Sequence, residues 1–327
     1  MGKMIDGQWR TEDWLRDNEG HFKREPTTFR NKIEADDSAQ FPAESGRYHL
    51  YVSYACPWAH RTLIVRELMG LDDVISYSVV HPYMLEDGWS FDDDFDGATG
   101  DRLHDDTQFL RELYARADAD YTGRVTVPVL WDTETQTIVN NESREIIRMF
   151  STAFRAFATE DIDLYPKGYR DRVDELIDAI YQPVNNGVYR SGFATTQSAY
   201  EEAVTELFEA LDQWDEHLGE NRYLAGDVLT EADICMFTTL IRFDPVYYGH
   251  FKCNLQHIYE YPNLWNYTLE LYQLPGVADT CRFEHITRHY YYSHASINPH
   301  RIVPEGPRLN HDTGHDRDRL EGRIVRR

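Results

Sequence analysis

The stretch "SYACPWAHR", residues 53–61, sets one cysteine between a predicted strand and a predicted helix. The preceding run "RYHLYVS", residues 47–53, is β-prone and alternates in polarity, which predicts a strand. Pro57 suits the first turn of a helix, where its missing N–H costs no hydrogen bond. Helical spacing follows in "AHRTLIVRELMG", and Gly70 provides a C-terminal stop. Cys56 is therefore predicted to lie at the start of a helix.

Two interpretations of Cys56 follow from this position. Free N–H groups and the helix dipole stabilise a thiolate, which is the nucleophilic form of cysteine. A buried structural cysteine is the commonest alternative, but the position favours the reactive interpretation. Ala59 stands where a dithiol motif would place a second cysteine. A disulfide formed at Cys56 would therefore need a thiol from outside the chain.

The segments that follow predict a thioredoxin-like domain. Their order is strand, loop, helix, two strands and helix, which continues the first strand and helix into a mixed sheet with helices on its faces. The loop is long and acidic, and loops of this length are usually functional or disordered. The predicted segments are 73–80 (strand), 81–106 (loop), 109–117 (helix), 125–132 and 136–140 (strands) and 143–150 (helix).

The fold class predicted for the whole chain is α/β followed by all-α. The helical pattern is nearly continuous from residue 165 to about residue 293. The polar tail either winds over the surface or is disordered. The predicted organisation is an N-terminal arm (1–44), a thioredoxin-like thiol-binding domain (45–150), a linker (151–164), an all-helical domain (165–296) and a C-terminal tail (297–327).

Composition excludes several classes of function. The sequence contains no run of eighteen apolar residues, so no membrane span is expected. The N-terminus also lacks the apolar core of a secretion signal. The four cysteines have neither zinc-finger nor C-x-x-C spacing, which is typical of a cytoplasmic protein with reduced thiols. A formal net charge of −24 argues against binding to nucleic-acid phosphates. Because the acids greatly outnumber the few lysines, the surface is typical of a salt-adapted, halophilic protein.

Two further motifs suggest a binding site for a small thiol. In "TVPVL", Pro128 interrupts a strand; it either follows a cis bond that turns the Val127 backbone toward a ligand or simply marks a strand edge. In "NNESREI", Ser143 and free N–H groups suit a carboxylate, and Glu142 suits an ammonium group. A γ-glutamyl group carries both. Helix capping by Ser143 or Asn141 explains the same residues without a ligand.

Three other patterns in the sequence are a helix cap, dense tyrosines and scattered histidines. Thr230 and Asp233 in "LTEADI" predict a capping box. The dense tyrosines of residues 188–193, 242–251 and 285–294 exceed what core packing needs, and phenols in a pocket can donate hydrogen bonds to a phenolate-like product. The histidines without a supporting cysteine or acid motif are predicted to be solvated or core residues rather than metal ligands; they are His285, His289, His294, His311 and His315.

Seven motifs in order make the chain resemble the glutathione transferase superfamily, and within it the Xi class, the glutathionyl-hydroquinone reductases. The resemblance runs from about residue 30 to about residue 300. The motifs are "CPWAHR" (56–61), "DGWSF" (87–91), "YTGRVTVPVLWD" (121–132), "NNES" (140–143), "NNGVYRSGFA" (185–194), "RFDPVY" (242–247) and "HITRHYY" (285–291).

The resemblance implies a role for each matching residue. Cys56 is the expected catalytic cysteine. Trp89 and Arg124 would hold the glycine end of glutathione, and the Val127 backbone would hold its cysteinyl part. Glu142 and Ser143 would bind the γ-glutamyl end. The tyrosines expected to line the hydroquinone pocket are Tyr189, Tyr247 and Tyr290, with Tyr189 and Tyr290 also taking part in catalysis.

The implied activity is reduction of a glutathionyl-hydroquinone to the hydroquinone through a mixed disulfide on Cys56. Glutathione, or γ-glutamylcysteine in a salt-adapted archaeon, would be the co-substrate, with no metal. The resemblance also implies a homodimer. The alternatives are an omega-like transferase or thiol–disulfide oxidoreductase, and a non-catalytic thioredoxin-like binding protein. Because conjugating transferases generally use Ser or Tyr, Cys56 favours reduction.

Overall fold

The computed structural model describes residues 2–11 and 17–326. Parts of the predicted arm (residues 1 and 12–16) and the last residue of the predicted tail lie outside the described residues. The chain divides into two compact units. Described residues of the first unit are 2–11, Arg24–Glu160 and Arg282–Ser293; those of the second are 17–23, Asp161–Cys281 and 294–326.

The first unit is built around a four-stranded mixed sheet. Its elements in chain order are β1 (Lys3–Ile5), β2 (Gln8–Arg10), β3 (Tyr48–Val52), α1 (Pro57–Leu68), β4 (Ser76–Val79), α2 (Leu110–Ala117), β5 (Val129–Asp132), β6 (Thr137–Asn140) and α3 (Ser143–Thr152). The sheet order is β4-β3-β5-β6, with β3 and β4 parallel and the other pairs antiparallel. All five residues of β3 are buried, and α1 packs against α3.

The predicted thioredoxin-like fold is confirmed, but several local expectations change. The strand predicted over 125–132 begins only at Val129, after a cis Val127–Pro128 bond. The helix predicted over 143–150 continues to Thr152 and a 3-10 turn, Ala153–Phe157, follows. Residues 151–157, predicted as the start of a linker, are therefore helical because apolar residues such as Phe154 are buried.

The N-terminal arm contains a small hairpin, β1–β2, that was not predicted from the sequence. Met4 exchanges two backbone hydrogen bonds with Gly123, at 2.9 and 3.0 Å. The Trp9 indole donates to the Glu86 carbonyl over 2.9 Å. Farther along the arm, Asn31 donates to the Val139 carbonyl at 3.0 Å, next to an isolated bridge between Arg30 and Asn140. The arm therefore adds backbone contacts along the edge of β6.

The second unit is helical. Its helices are α4 (Arg170–Ile180), α5 (Gly187–Gly192), α6 (Gln197–Glu220), α7 (Glu231–Arg242), α8 (Tyr248–His250), α9 (Pro262–Tyr272) and α10 (Val277–Thr280); α11 (Phe283–Ser293) belongs to the first unit. Contacts join α6 to α5 and α9, and α7 to α4 and α9. None of the described helices combines the length and apolar character needed to cross a bilayer.

The capping box at the start of α7 is confirmed, and it forms the centre of a buried network. Thr230 caps the helix, and both reciprocal bonds of the box are present. The Asp233 carboxylate accepts hydrogen bonds from the Leu224 N–H and the Tyr267 hydroxyl, each at 2.8 Å, and from the Thr230 N–H at 2.8 Å. Asp233 therefore ties α7 to α9 and to the chain before α7.

The C-terminal tail is irregular and lies against the second unit. Its Arg317 side chain is fully buried. It donates to the carbonyls of Leu218, Asn221 and Arg222 at 2.7–2.8 Å. A cation placed on the last carbonyls of α6 is favoured by the helix dipole. Of the two alternatives left by the sequence, winding over the surface is therefore the one observed.

Candidate functional site

Cys56 is the residue that precedes α1. Its backbone is extended (φ −76°, ψ 122°), and Pro57 occupies the first helical turn. The Cys56 N–H donates to the Ser53 carbonyl over 3.1 Å, and the Cys56 carbonyl accepts from the His60 N–H over 2.9 Å. Cys56 therefore lies at the N-terminus of α1. The first turn of that helix contains no acidic residue whose negative charge would destabilise a thiolate.

The environment of Cys56 differs from that of the other three cysteines. All four are thiols, and Cys56 alone is partly exposed. Burial raises the pKa of the Cys281 thiol to about 12 and raises the pKa of Cys253 still further. Because a protonated, buried thiol is a poor nucleophile, Cys56 is the cysteine suited to chemistry.

The segment before β5 brings backbone groups to the Cys56 sulfur. The sulfur donates to the Val127 carbonyl over 3.5 Å. The Val127–Pro128 bond is cis, as the first of the two interpretations of this proline requires; the ligand at the Val127 backbone stays a prediction. The neighbouring backbone is fixed by two phenols: Tyr121 donates to the Arg124 carbonyl and Tyr114 to the Thr126 carbonyl, both at 2.8 Å.

The start of α3 carries Glu142 and Ser143. Glu142, rather than Ser143 or Asn141, is the capping residue, and it accepts from the Arg144 N–H over 3.3 Å. The cap shifts because Asn140 ends β6 and its side chain already accepts from the Glu142 N–H at 2.7 Å. The Ser143 hydroxyl accepts from the buried Arg61 guanidinium of α1 at 3.4 Å. Arg61 thus connects the cysteine-bearing helix to Ser143.

Trp89 lies in the long loop and is buried against α11. The His289 ring stacks on the indole, with centroids 4.7 Å apart and planes 21° apart. His289 also donates through Nδ1 to the Pro82 carbonyl at 2.9 Å. The loop is held a second time by His285, whose Nε2 donates to the Asp96 carbonyl at 2.7 Å. Burial lowers the pKa of His285. The histidines of α11 are therefore core residues; the solvated alternative does not apply to them.

A short part of the arm, residues 24–27, reaches the same region, which the sequence analysis missed. Arg24 lies over the Trp58 ring, 3.9 Å from its centroid. Glu25 is 3.8 Å from the Arg124 guanidinium, and the Thr27 hydroxyl donates to Glu142 over 3.2 Å. No local sequence signal marks these contacts, because each joins residues that are far apart in the chain.

The predicted tyrosines are divided between the two units. Tyr290 belongs to α11 in the first unit and is fully buried. In the second unit Tyr189 and Tyr247 lie together, with ring centroids 6.0 Å apart. Each lies at or near a π-helical turn, Tyr181–Asn185 or Phe243–Tyr247. Such turns are frequent at functional sites.

Aromatic rings surround the second-unit tyrosines. Phe251 lies 5.3 Å from Tyr189 and 5.5 Å from Tyr247 between centroids. The arm residue Phe22 stacks on Tyr189 at 6.2 Å. A buried histidine pair borders this group: His250 and His294 share a 3.1 Å hydrogen bond. These rings form a buried aromatic cluster that carries two phenol groups.

Comparisons with known proteins agree with these features. Residues 55–153 match the glutathione S-transferase N-terminal domain and residues 197–269 its C-terminal domain. Glutathionyl-hydroquinone reductase YqjG of Escherichia coli is 53% identical over 97% of this chain and 99% of the relative. A Xi-class structure from Natrialba magadii has a TM-score of 0.94 and 58% identity, covering 99% of this chain and 98% of that one.

A structure of E. coli YqjG with glutathione bound is also similar, with a TM-score of 0.89 and 51% identity over 96% of this chain and 99% of that chain. Identities near 50% over almost the full length extend to both domains. The matched N-terminal domain includes α1, the helix that begins after Cys56. The chain therefore belongs to the glutathione transferase superfamily and, within it, to the Xi class, the family of the glutathionyl-hydroquinone reductases.

Proposed function

We propose that this protein is a thiol-dependent reductase that converts glutathionyl- or γ-glutamylcysteinyl-hydroquinones to hydroquinones. The observation that carries the proposal is the partly exposed Cys56 thiol at the N-terminus of α1, 3.5 Å from the Val127 carbonyl. Relatives named as glutathionyl-hydroquinone reductases support the substrate class. The glutathione-bound relative supports glutathione as the thiol.

The proposed thiol site uses both ends of the ligand. Glu142 would pair with the α-ammonium of the γ-glutamyl group, and Ser143 would donate to its carboxylate beside the N-terminus of α3. The Val127 backbone would hold the cysteinyl part next to Cys56. Arg124 and Trp89 would hold the glycine end, with the guanidinium facing the terminal carboxylate.

The proposed reaction has two steps. The Cys56 thiolate attacks the sulfur of the thioether, an S–S bond forms and the bond from sulfur to the aromatic carbon breaks. The electron pair of that bond stays on the ring carbon, which takes a proton and becomes the hydroquinone C–H. A second thiolate then attacks the mixed disulfide, releasing the oxidised thiol and Cys56. The ring carbon is reduced by two electrons and the two external thiol sulfurs are oxidised to a disulfide.

Tyrosines are proposed to assist this chemistry. A phenol keeps its proton at neutral pH and can donate it, or a hydrogen bond, to a leaving group or an oxyanion. In the first unit we assign this role to Tyr290. In the second unit we assign binding of the hydroquinone ring to Tyr189 and Tyr247, with Tyr189 also a proton donor.

The proposal includes the location, the oligomeric state and the thiol of the enzyme. Thiol-dependent chemistry and four reduced cysteines fit the cytoplasm, and the family suggests a homodimer. The residues proposed for the γ-glutamyl end fit glutathione and γ-glutamylcysteine equally.

Mass spectrometry after mixing with substrate tests the proposed function. The purified protein is incubated separately with a glutathionyl-hydroquinone and with its γ-glutamylcysteinyl counterpart. We expect one thiol adduct on Cys56 and an equal amount of released hydroquinone. The conjugate that reacts faster identifies the preferred thiol. Absence of both adduct and hydroquinone would instead favour a non-catalytic binding protein, whereas conjugation of free thiol to electrophiles would favour a transferase.

Salt dependence tests the proposed halophilic adaptation. The chain has 57 acidic and 33 basic residues, so unscreened repulsion opposes the compact state. Lowering NaCl from about 3 M to 0.1 M lengthens the screening distance from under about 3 Å to about 10 Å. We expect the unfolding free energy, measured by urea titration, to fall. Equal stability at both salt concentrations would contradict the adaptation.

A further inference from the structure

The arm residues 24–27 contact residues assigned to both ends of the proposed thiol site. Glu25 lies against Arg124, which the proposed function assigns to the glycine end. Thr27 donates to Glu142, which is assigned to the γ-glutamyl end. The Cα atoms of Glu25 and Thr27 can be at most about 7 Å apart. The segment therefore contacts one residue assigned to each end of the proposed site, and any inference from it rests on that proposed function.

Glu25 is the charged group of this segment that faces a proposed ligand-binding cation. One carboxylate oxygen is 3.8 Å from Arg124 Nε and the other is 3.4 Å from Lys3 Nζ. The Glu25 side chain is 39% exposed, whereas the Arg124 side chain is only 14% exposed. The backbone of Arg124 is also held by the Tyr121 hydroxyl at 2.8 Å. Arg124 is thus the more buried partner, with its backbone held in place, and Glu25 is the more exposed partner.

The position of Glu25 has a consequence for an anionic ligand. A glycyl carboxylate that binds Arg124 must share one guanidinium with the Glu25 carboxylate, or replace it. Two carboxylates near the same cation repel each other, and the ion pair of Glu25 with Arg124 must be weakened first. γ-Glutamylcysteine ends one residue earlier, so its terminal carboxylate would lie nearer to Val127 than to Arg124.

We propose that Glu25 is a specificity-determining residue that weakens binding of thiols with a carboxylate at the glycine position. It thereby favours γ-glutamylcysteine relative to glutathione. Its effect acts on binding of the thiol, since Glu25 touches Arg124 and not the reacting sulfur. The proposal predicts that neutralising Glu25 improves glutathione binding selectively.

The test compares dissociation constants measured by calorimetry, with Cys56→Ser as the parent so that no covalent reaction occurs. Glu25→Gln is added to that parent, and the ligands are glutathione, glutathione amidated at its glycine carboxyl, and γ-glutamylcysteine. Glu34→Gln is the matched control, because Glu34 is an exposed acid of the same arm and the variant changes net charge equally. Far-UV circular dichroism in the same buffer verifies that each variant is folded.

Glu25→Gln should lower the dissociation constant of glutathione about 3- to 5-fold, the upper part of the range expected of a partly exposed ion pair. The constants for amidated glutathione and γ-glutamylcysteine should stay unchanged, and Glu34→Gln should have no effect. An unchanged or raised constant for glutathione overturns the proposal, as does an equal fall for all three ligands. A parent that binds none of them overturns the thiol site itself, which the adduct measurement detects separately.

Discussion

Replacing Cys56 by serine is expected to lower the rate of hydroquinone release by at least about 10³-fold, because the hydroxyl cannot form the mixed disulfide. The loss should appear in kcat, whereas thiol binding through the other proposed contacts should persist. Stopped-flow assay of hydroquinone release and calorimetric titration with glutathione measure the two quantities on the same sample.

Cys281→Ala provides the matched control for that loss. Cys281 is buried, with its pKa raised to about 12 by burial, and its removal should leave the rate within about 2-fold, since no reactive role is assigned to it. Full turnover by Cys56→Ser would refute the proposed mechanism. An equal loss in both variants would point to damage to the fold instead.

Replacing Asp233 by alanine is expected to lower the unfolding free energy by about 4 kcal/mol. The Asp233 carboxylate is fully buried and accepts from Leu224, Thr230 and Tyr267. Alanine would leave these donors buried without an acceptor, and each such group costs about 1–3 kcal/mol. Urea titration measures the change. Glu209→Ala, an exposed acid on α6, should change the free energy by less than about 0.5 kcal/mol; a similar result for Asp233→Ala would contradict the network's role.

Titration of Asp233 should make the unfolding free energy fall as the pH rises. Burial raises the pKa of Asp233 from 3.8 to about 6, so the folded state binds this proton more tightly than the unfolded state. The resulting stabilisation is complete below about pH 4 and is lost as the pH rises through about 6. Compared with Asp233→Asn, which does not titrate, the wild-type protein should lose stability across this window. Parallel pH profiles of the two proteins would show that Asp233 does not titrate there.

The position of Cys56 could be predicted because its signals are local. Pro57 and the helical spacing after it mark the start of α1, and the structure begins the helix at Pro57. The start of α3 at Ser143 was also predicted correctly, but its capping residue was not. Ser143 and Asn141 are the usual capping types, but Asn140 holds the Glu142 backbone and Glu142 provides the cap.

Contacts between distant parts of the chain could not be predicted. Polar composition indicates that the arm and the tail lie at the surface, but it does not reveal their partners. Glu25 meets Arg124 across 99 positions, and Met4 of the hairpin forms a bridge with the distant Gly123. Arg317 is buried because carbonyl groups at the end of α6 meet its guanidinium. Such contacts depend on tertiary geometry that neither periodicity nor residue type encodes.

The burial of three of the four thiols also limits how the protein can respond to oxidants. Cys235, Cys253 and Cys281 are all buried, so oxidative modification is directed to Cys56, where exposure and a helix N-terminus coincide. Ala59 removes the usual internal partner, so a sulfenic acid formed there must be repaired by a small thiol from solution. The oxidation state of the cysteines therefore follows the thiol pool of the surroundings through the Cys56 sulfur.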